Sequence, residues 1–264
     1  MPQVPGAEVR RIILESAKRA HVAHIGSALS IADLVAMLYS GALRIPAPDD
    51  PARDRFILST GHAALALYAA LHLRGWLSED EIAGYCGSTT LLAVHPSHEV
   101  PGIELSTGSL GHGLSVGAGM ALAARLRGDA WRVAVLMSDA ECNEGSVWEA
   151  VMFAAHHRLA NLTAIIDLNG QQALGYTKDI LDLSQMSKRW EAFGWIAHDV
   201  DGHDPAALRD AYASCAGAGA APQVIVAHTV FGKGVSFMER SIKWHYAPMS
   251  DAEFAAAMRE VAQA

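Results

Sequence analysis

Asp139 and Asn169 occupy the kind of position from which a side chain can grip a ligand. Asp139 lies just past the apolar run Val133-Ala134-Val135-Leu136-Met137, and Asn169 follows a second such run, Leu162 to Leu168. A buried strand holds the residue at its end rigidly, and consecutive parallel strands bring their ends close together. The two oxygen donors can therefore share one hard cation such as Mg²⁺, which takes carboxylate, amide and carbonyl oxygens and completes its shell with phosphate oxygens. The Asn169-Gly170 step forms turns and can aim a backbone carbonyl inward. Gly145, at the start of a helix from about Ser146, can offer N–H groups to an anion. Each residue taken alone has a plainer alternative, Asp139 as a cap and Asn169 as a bend.

The chain carries 13 histidines. His24, His62, His95, His112 and His245 stand beside glycine, proline or a helix start rather than within a periodic run. Neutral imidazoles exchange protons with hydroxyls near neutral pH, so several around one cavity would suit a polyhydroxylated, sugar-like substrate. No H-E-x-x-H or Cys/His spacing supports zinc, no G-x-x-x-x-G-K-[ST] occurs, and no G-x-G-x-x-G follows a strand.

The elements that must position these residues follow a regular pattern. Helices are expected over 7–20 and 31–40, joined by His24-Ile25-Gly26-Ser27, then a short strand at Phe56-Ile57-Leu58 and an alanine-rich helix to about Leu73. From Leu114 onward, small-residue helices alternate with apolar strands: 133–137, 162–168, Trp195 to Val200 and Val224 to His228. Strand, crossover helix and strand at this spacing predict an α/β fold, a mostly parallel sheet with helices on both faces. The segment from about 84 to 113 lacks periodicity and holds His95, His98 and His112; a loop this long in a compact domain is usually functional. No composition break marks a second domain, so residues 1–264 read as one.

Bulk properties exclude several classes. With 51% hydrophobic and 18% charged residues the chain is not disordered. A net charge of −8 without a Lys/Arg cluster argues against nucleic acid. No run of 18 apolar residues predicts a membrane span. The start lacks the apolar core of a secretory signal, and Cys86, Cys142 and Cys215 form no paired framework, so the cytoplasm is the expected location.

As a set, the motifs resemble the amino-terminal, diphosphate-binding part of transketolase, a thiamine-diphosphate enzyme. The stretches that carry the likeness are His24 to Ser30, Asp54 to His62, Thr107-Gly108-Ser109-Leu110-Gly111-His112-Gly113, Asp139 to Gly145, Asp167-Leu168-Asn169 and Trp244-His245. The resemblance runs from about residue 10 to 246. It implies a three-layer thiamine-diphosphate-binding fold, with Asp139, Asn169 and the carbonyl of Gln171 holding Mg²⁺, for which Ca²⁺ or Mn²⁺ can substitute. By the same resemblance, thiamine diphosphate would contact His62, Gly108, Leu110, Asp139, Ala140, Glu144 and Asn169, with Glu144 joining a carboxylate network across a subunit interface. His24, His62, His95 and His245 would be the catalytic histidines, touching substrate hydroxyls and moving protons.

Two features depart from the family pattern. Ser138-Asp139-Ala140 replaces Gly-Asp-Gly, placing a methyl group where the diphosphate approaches the backbone, and His112 replaces a common glutamine. The resemblance covers only the diphosphate-binding part, and no strand–helix series is expected after His245 to house the family's pyrimidine-binding and carboxy-terminal domains. The resemblance therefore implies the small subunit of a split transketolase. Such a subunit would move a two-carbon ketol unit from a phosphorylated ketose to an aldose, with a partner that carries the pyrimidine-binding domain, in a heterotetramer. Alternatives are another thiamine-diphosphate component, resembling 1-deoxyxylulose-5-phosphate synthase or a decarboxylase, or a non-catalytic binding subunit.

Overall fold

The computed structural model describes residues 2–215 and 221–263. The chain opens with helices α1 (Gly6–Ala20), α2 (Ile25–Ser30) and α3 (Ala32–Met37), the last continuing into a wider turn over Leu38–Ala42. Strand β1 (Arg55–Leu58), a tight turn at Gly61–Ala63 and helices α4 (Ala64–Leu73) and α5 (Glu79–Ala83) follow. After a long loop come α6 (His112–Arg127), β2 (Val133–Ser138), α7 (Gly145–His156) and β3 (Leu162–Leu168). A two-strand hairpin, β4 (Gln171–Gln172) and β5 (Gly175–Tyr176), leads through α8 (Thr177–Ile180) and α9 (Met186–Ala192) to β6 (Ile196–Asp201). Helix α10 (Pro205–Ser214), β7 (Gln223–His228), α11 (Lys243–Tyr246) and α12 (Asp251–Val261) complete it.

The main sheet has the order β1-β2-β3-β7-β6, and every pairing in it is parallel. Strand alternation sorts its side chains to two faces. Ala134 and Leu136 point to a core shared with α1, α3, α4 and α12, whereas Val133, Val135 and Met137 point to one shared with α6, α7 and α9. All six residues of β2 are buried, as expected of a strand covered on both faces. Each fully buried Leu, Ile or Val contributes about 1.5–3 kcal/mol of transfer free energy, and these two layers of contacts hold the sandwich of helix, sheet and helix together. Among the described residues, no helix is long and apolar enough to cross a membrane.

Two local expectations are revised. His24-Ile25-Gly26-Ser27 is not a linker: it begins α2, with His24 in the left-handed conformation as the residue before the helix. Gly and Ser favour this helix poorly, but tertiary packing dictates it, because the backbone at Gly26 lies against the Phe231 ring. The first expected helix pair is thus three helices. A further helix, α12, follows His245; its Ser250–Glu253 capping box satisfies the exposed N–H groups of its first turn. Between α5 and α6 no regular element forms, in keeping with the long loop expected there.

Candidate functional site

The carboxyl ends of β2 and β3 are in register, Ser138 opposite Asp167. Asp139, one residue beyond β2, is completely buried. Its carboxylate accepts the N–H of Gly170 at 2.8 Å and that of Ala140 at 2.7 Å, tying the two strand ends together. Burial pushes the Asp139 carboxyl up to about 7, and the neighbouring Asp167 carboxyl adds to the rise, against the pull of the backbone donors. Asp167 is buried as well and also raised, chiefly by burial, although Thr229, Ser30 and Asn169 all donate to it. Asn169 bridges the group: its Nδ2 donates to Asp167 at 2.8 Å and its Oδ1 accepts from Gln171 N–H at 2.9 Å.

A third buried carboxylate, Glu141, accepts from Ser59 Oγ and from the N–H of Gly111 at 2.7 Å, pinning the loop before α6 to the end of β1. That loop is held again by Thr107 Oγ1, which donates to Leu58 O at 2.7 Å. Gly61 is required at this junction, since a Cβ there would sit 2.7 Å from the Thr107 backbone.

These strand ends form one wall of a cleft of about 360 Å³. Ala140, Glu144, Asp167, Asn169 and Gln171 line that wall, and Gly108 and Leu110 line the loop side. Asp139 lies just beneath the wall rather than on it, and Glu144 stands exposed at the rim, at the head of α7. The opposite wall carries His24, His62, His95 and His245. Their rings cluster, with centroids 5.3 Å apart for His24–His62, 6.1 Å for His24–His245 and 6.4 Å for His62–His245. Phe231 stacks under His245 at 4.5 Å. Burial lowers the basicity of His24, His62 and His245, and the nearby imidazoles lower it further: His62 falls to about 3, His245 to about 4, and His24 is lowered as well. The three imidazoles are therefore neutral at pH 7, able to donate and accept a hydrogen bond to a hydroxyl. His112 is exposed in the first turn of α6 and does not line the cleft.

Reasoning from sequence overlooked Glu141, Asp167 and Phe231. The acidic run Asp139-Ala140-Glu141 and the Asp167-Leu168-Asn169 strand end signalled the first two. For Phe231, in an irregular segment, no signal existed. The site also shows its appetite for a ligand. Buried polar atoms facing this region lack partners: His24 Nδ1, Thr60 Oγ1, Asn143 Oδ1, Gln171 Oε1 and both ring nitrogens of His245. Unpaired buried polar groups are costly. A polar ligand with an anionic, metal-bearing end at the strand ends and hydroxyls at the histidines would satisfy both walls.

The family model for "Transketolase, thiamine diphosphate binding domain" matches residues 6–262. The chain belongs to the transketolase family. It is 39% identical over 258 residues to one subunit of the apulose-4-phosphate transketolase of Phocaeicola vulgatus, covering 96% of this chain and 91% of that protein. It is 36% identical over 256 residues to the 6-deoxy-6-sulfo-D-fructose transketolase subunit SqwG of a Clostridium species, covering 96% and 93%. The transketolase structure from Campylobacter jejuni superposes with a TM-score of 0.91 at 28% identity, over 98% of this chain but only 42% of that longer one. The chain is thus a transketolase thiamine-diphosphate-binding domain, and its chemistry is two-carbon transfer through that cofactor.

Proposed function

We propose that this chain is the diphosphate-binding half of a two-chain transketolase, a single domain whose loop at 84–113 closes one side of the active site. The observation that carries the reading is one cleft with two chemically distinct walls, buried carboxylates at the strand ends and neutral imidazoles facing them. Asp139, the Asn169 amide oxygen and the Gln171 carbonyl would hold Mg²⁺, with Ca²⁺ or Mn²⁺ able to replace it. The fit rests on two buried carboxyls with no cation beside them: burial raises both, the Asp167 charge raises Asp139 further, and a bound cation would offset that cost. Among the described residues, no three His, Cys, Asp or Glu side chains converge on a metal, so the donor set depends on amide and carbonyl oxygens, as suits a hard cation.

Thiamine diphosphate, when bound, supplies the electron sink for breaking and making the carbon–carbon bond. The chain's own residues orient and protonate. Gly108 and Leu110 would flank the cofactor's ring end, while Ala140, Asn169 and Glu144 would border its diphosphate. His24 and His245 would hydrogen-bond substrate hydroxyls and carry protons, His62 would sit between cofactor and donor ketose, and His95 would meet the donor's hydroxyls. Burial among apolar neighbours excludes water from the His245 side.

The partner is argued from what this cleft lacks. Among the described residues, no Arg or Lys lines it, so the phosphate of a sugar phosphate needs cations from elsewhere. Leu174, Tyr176, Leu181 and Tyr246 are 76%, 47%, 57% and 59% exposed near its mouth or on the adjoining hairpin and helix. A second subunit with the pyrimidine-binding domain would cover this apolar surface and complete a heterotetramer. Three free thiols suit a reducing compartment, the cytoplasm.

The test is reconstitution. The chain is titrated with thiamine diphosphate and Mg²⁺ by calorimetry, alone and with a candidate partner, and ketol transfer is followed from phosphorylated ketoses to aldehydes. Turnover that requires both chains and the metal supports the reading. Cofactor binding that no partner converts into turnover would leave a protein that only binds, and would reject it.

A further inference from the structure

The segment leaving β7, from Thr229 to Gly234, touches both walls of the cleft from behind. Thr229 Oγ1 donates to Asp167 at the strand-end wall. Phe231, fully buried, stacks on His245 with ring planes 28° apart. The groups that fix this segment lie outside the cleft. The N–H of Val230 donates to His203 Nε2 at 2.9 Å. Because that nitrogen accepts, the neutral ring carries its proton on Nδ1, which donates to Asp33 Oδ2 at 2.8 Å. Asp33 in turn takes the Arg10 guanidinium on both oxygens, Nη1 to Oδ1 at 3.0 Å and Nη2 to Oδ2. The remaining Arg10 Nε donates to Lys233 O at 3.1 Å.

Val230 and Lys233, on either side of Phe231, are therefore both gripped by one connected set of side chains. Arg10 and Asp33 are 8% and 9% exposed. A buried ion pair adds little net stability relative to apolar packing, so its use here is geometric: a planar fork fixes two acceptors at once, which an ammonium cannot do. We infer that Arg10, Asp33 and His203 form a positioning clamp that sets Phe231 and, through it, the ring plane of His245 at the substrate end of the cleft. None of the three lines the cleft; they are positioning residues. The catalytic consequence rests on the reading of His245 as substrate-facing, whereas the mechanical one does not.

The experiment uses His203→Ala in the full chain, with labelled histidines observed by NMR and the His245 signals assigned by their loss in His245→Asn. The stacked Phe231 ring shifts those signals, and releasing Val230 moves them toward ordinary values. In the reconstituted complex, His203→Ala lowers kcat by about tenfold while cofactor affinity stays within about twofold, since small misplacements of a reacting group cost this much or more. Phe231→Leu has a similar effect, and the double variant adds nothing further, as residues acting through one path are non-additive. Unmoved His245 signals in folded His203→Ala, or losses that multiply in the double variant, overturn the clamp. If His203→Ala does not fold, Arg10→Lys keeps the charge beside Asp33 but loses the reach to Lys233 O, and the same displacement is expected; its absence overturns the clamp equally. Signals that move with turnover unchanged support the clamp and reject the role assigned to His245.

Discussion

At the strand-end wall every buried carboxylate has donors: Asp139 two backbone amides, Asp167 two hydroxyls and a side-chain amide, Glu141 a hydroxyl and two backbone amides. At the histidine wall the pattern reverses, with both nitrogens of His245 and one of His24 buried without a partner. The first wall has its carboxylates held largely by its own backbone and hydroxyls, and what those carboxylates lack is positive charge. The second is held by ring packing and lacks hydrogen bonds. The difference favours the proposed division of roles: a rigid, acidic cradle would suit a metal and a diphosphate, while neutral unsatisfied imidazoles would suit hydroxyls that arrive and leave.

The largest effect should come from removing charge at the cradle. Asp139→Asn keeps the shape and one acceptor oxygen, for either the Ala140 or the Gly170 amide, sets an NH₂ group against the other, and loses the anion. We expect Mg²⁺-dependent thiamine diphosphate binding, read by calorimetry on the complex, to weaken about a hundredfold, the upper end of what loss of even a supporting partner around a metal costs. Retained affinity would break the assignment of this wall to the metal. Next in size is Gly26→Ala, on the histidine side. Its Cβ would stand 2.1 Å from the Phe231 ring, and overpacking of this kind costs about 1–3 kcal/mol. Denaturant unfolding should show that loss, and an unchanged midpoint would mean that Phe231 gives way freely. His24→Ala or His245→Ala, by contrast, should leave cofactor affinity alone and lower ketol transfer at least about tenfold. Unchanged turnover in both would remove their proposed roles and leave the second wall merely structural.

How much of this is legible in the sequence follows the same division. The cradle can be located because apolar strands are continuous, Val133 to Met137 and Leu162 to Leu168, and the residues ending them are conspicuous. Parallel topology then forces those ends together, as the Ser138–Asp167 register shows. The histidine wall is legible only as a set of separate residues. His24, His62, His95 and His245 are gathered from α2, the turn after β1, the long loop and α11, and spacing along the chain says nothing of such convergence. The wall's supports are invisible in the sequence: Phe231 and His203 act through stacking and a tautomer, neither of which has a local pattern. The helix at Gly26 escapes for the same reason, since its propensity is poor and the Phe231 contact decides.

The smallest effect per step of the measurement, and the one that separates the walls electrostatically, is a pH dependence of stability. His245 has a folded pKa of about 4, below the roughly 6.5 of an unfolded histidine. Above pH 6.5 neither state is protonated, and the stability is fully present. As pH falls from 6.5 toward 4, the unfolded chain binds a proton that the folded chain refuses, so stability is lost across that window. The ceiling is about 1.4 kcal/mol per pH unit for one such group, and partial solvent contact through the cleft brings it nearer to about 1. His62, lowered to about 3, acts with the same sign over a longer range. Asp139, raised to about 7, acts in the opposite direction, so the useful quantity is the difference between a variant and its parent, in which groups not coupled to His245 cancel and the His62 shift, to which His245 contributes, changes only in part. His245→Gln should unfold with a shallower loss of stability between pH 6.5 and 4 than the parent, measured by urea denaturation at several pH values. Parallel curves would show that His245 takes up its proton as easily folded as unfolded. Its ring would then be solvated rather than held neutral against Phe231, and the contrast between the two walls would fail at the histidine side.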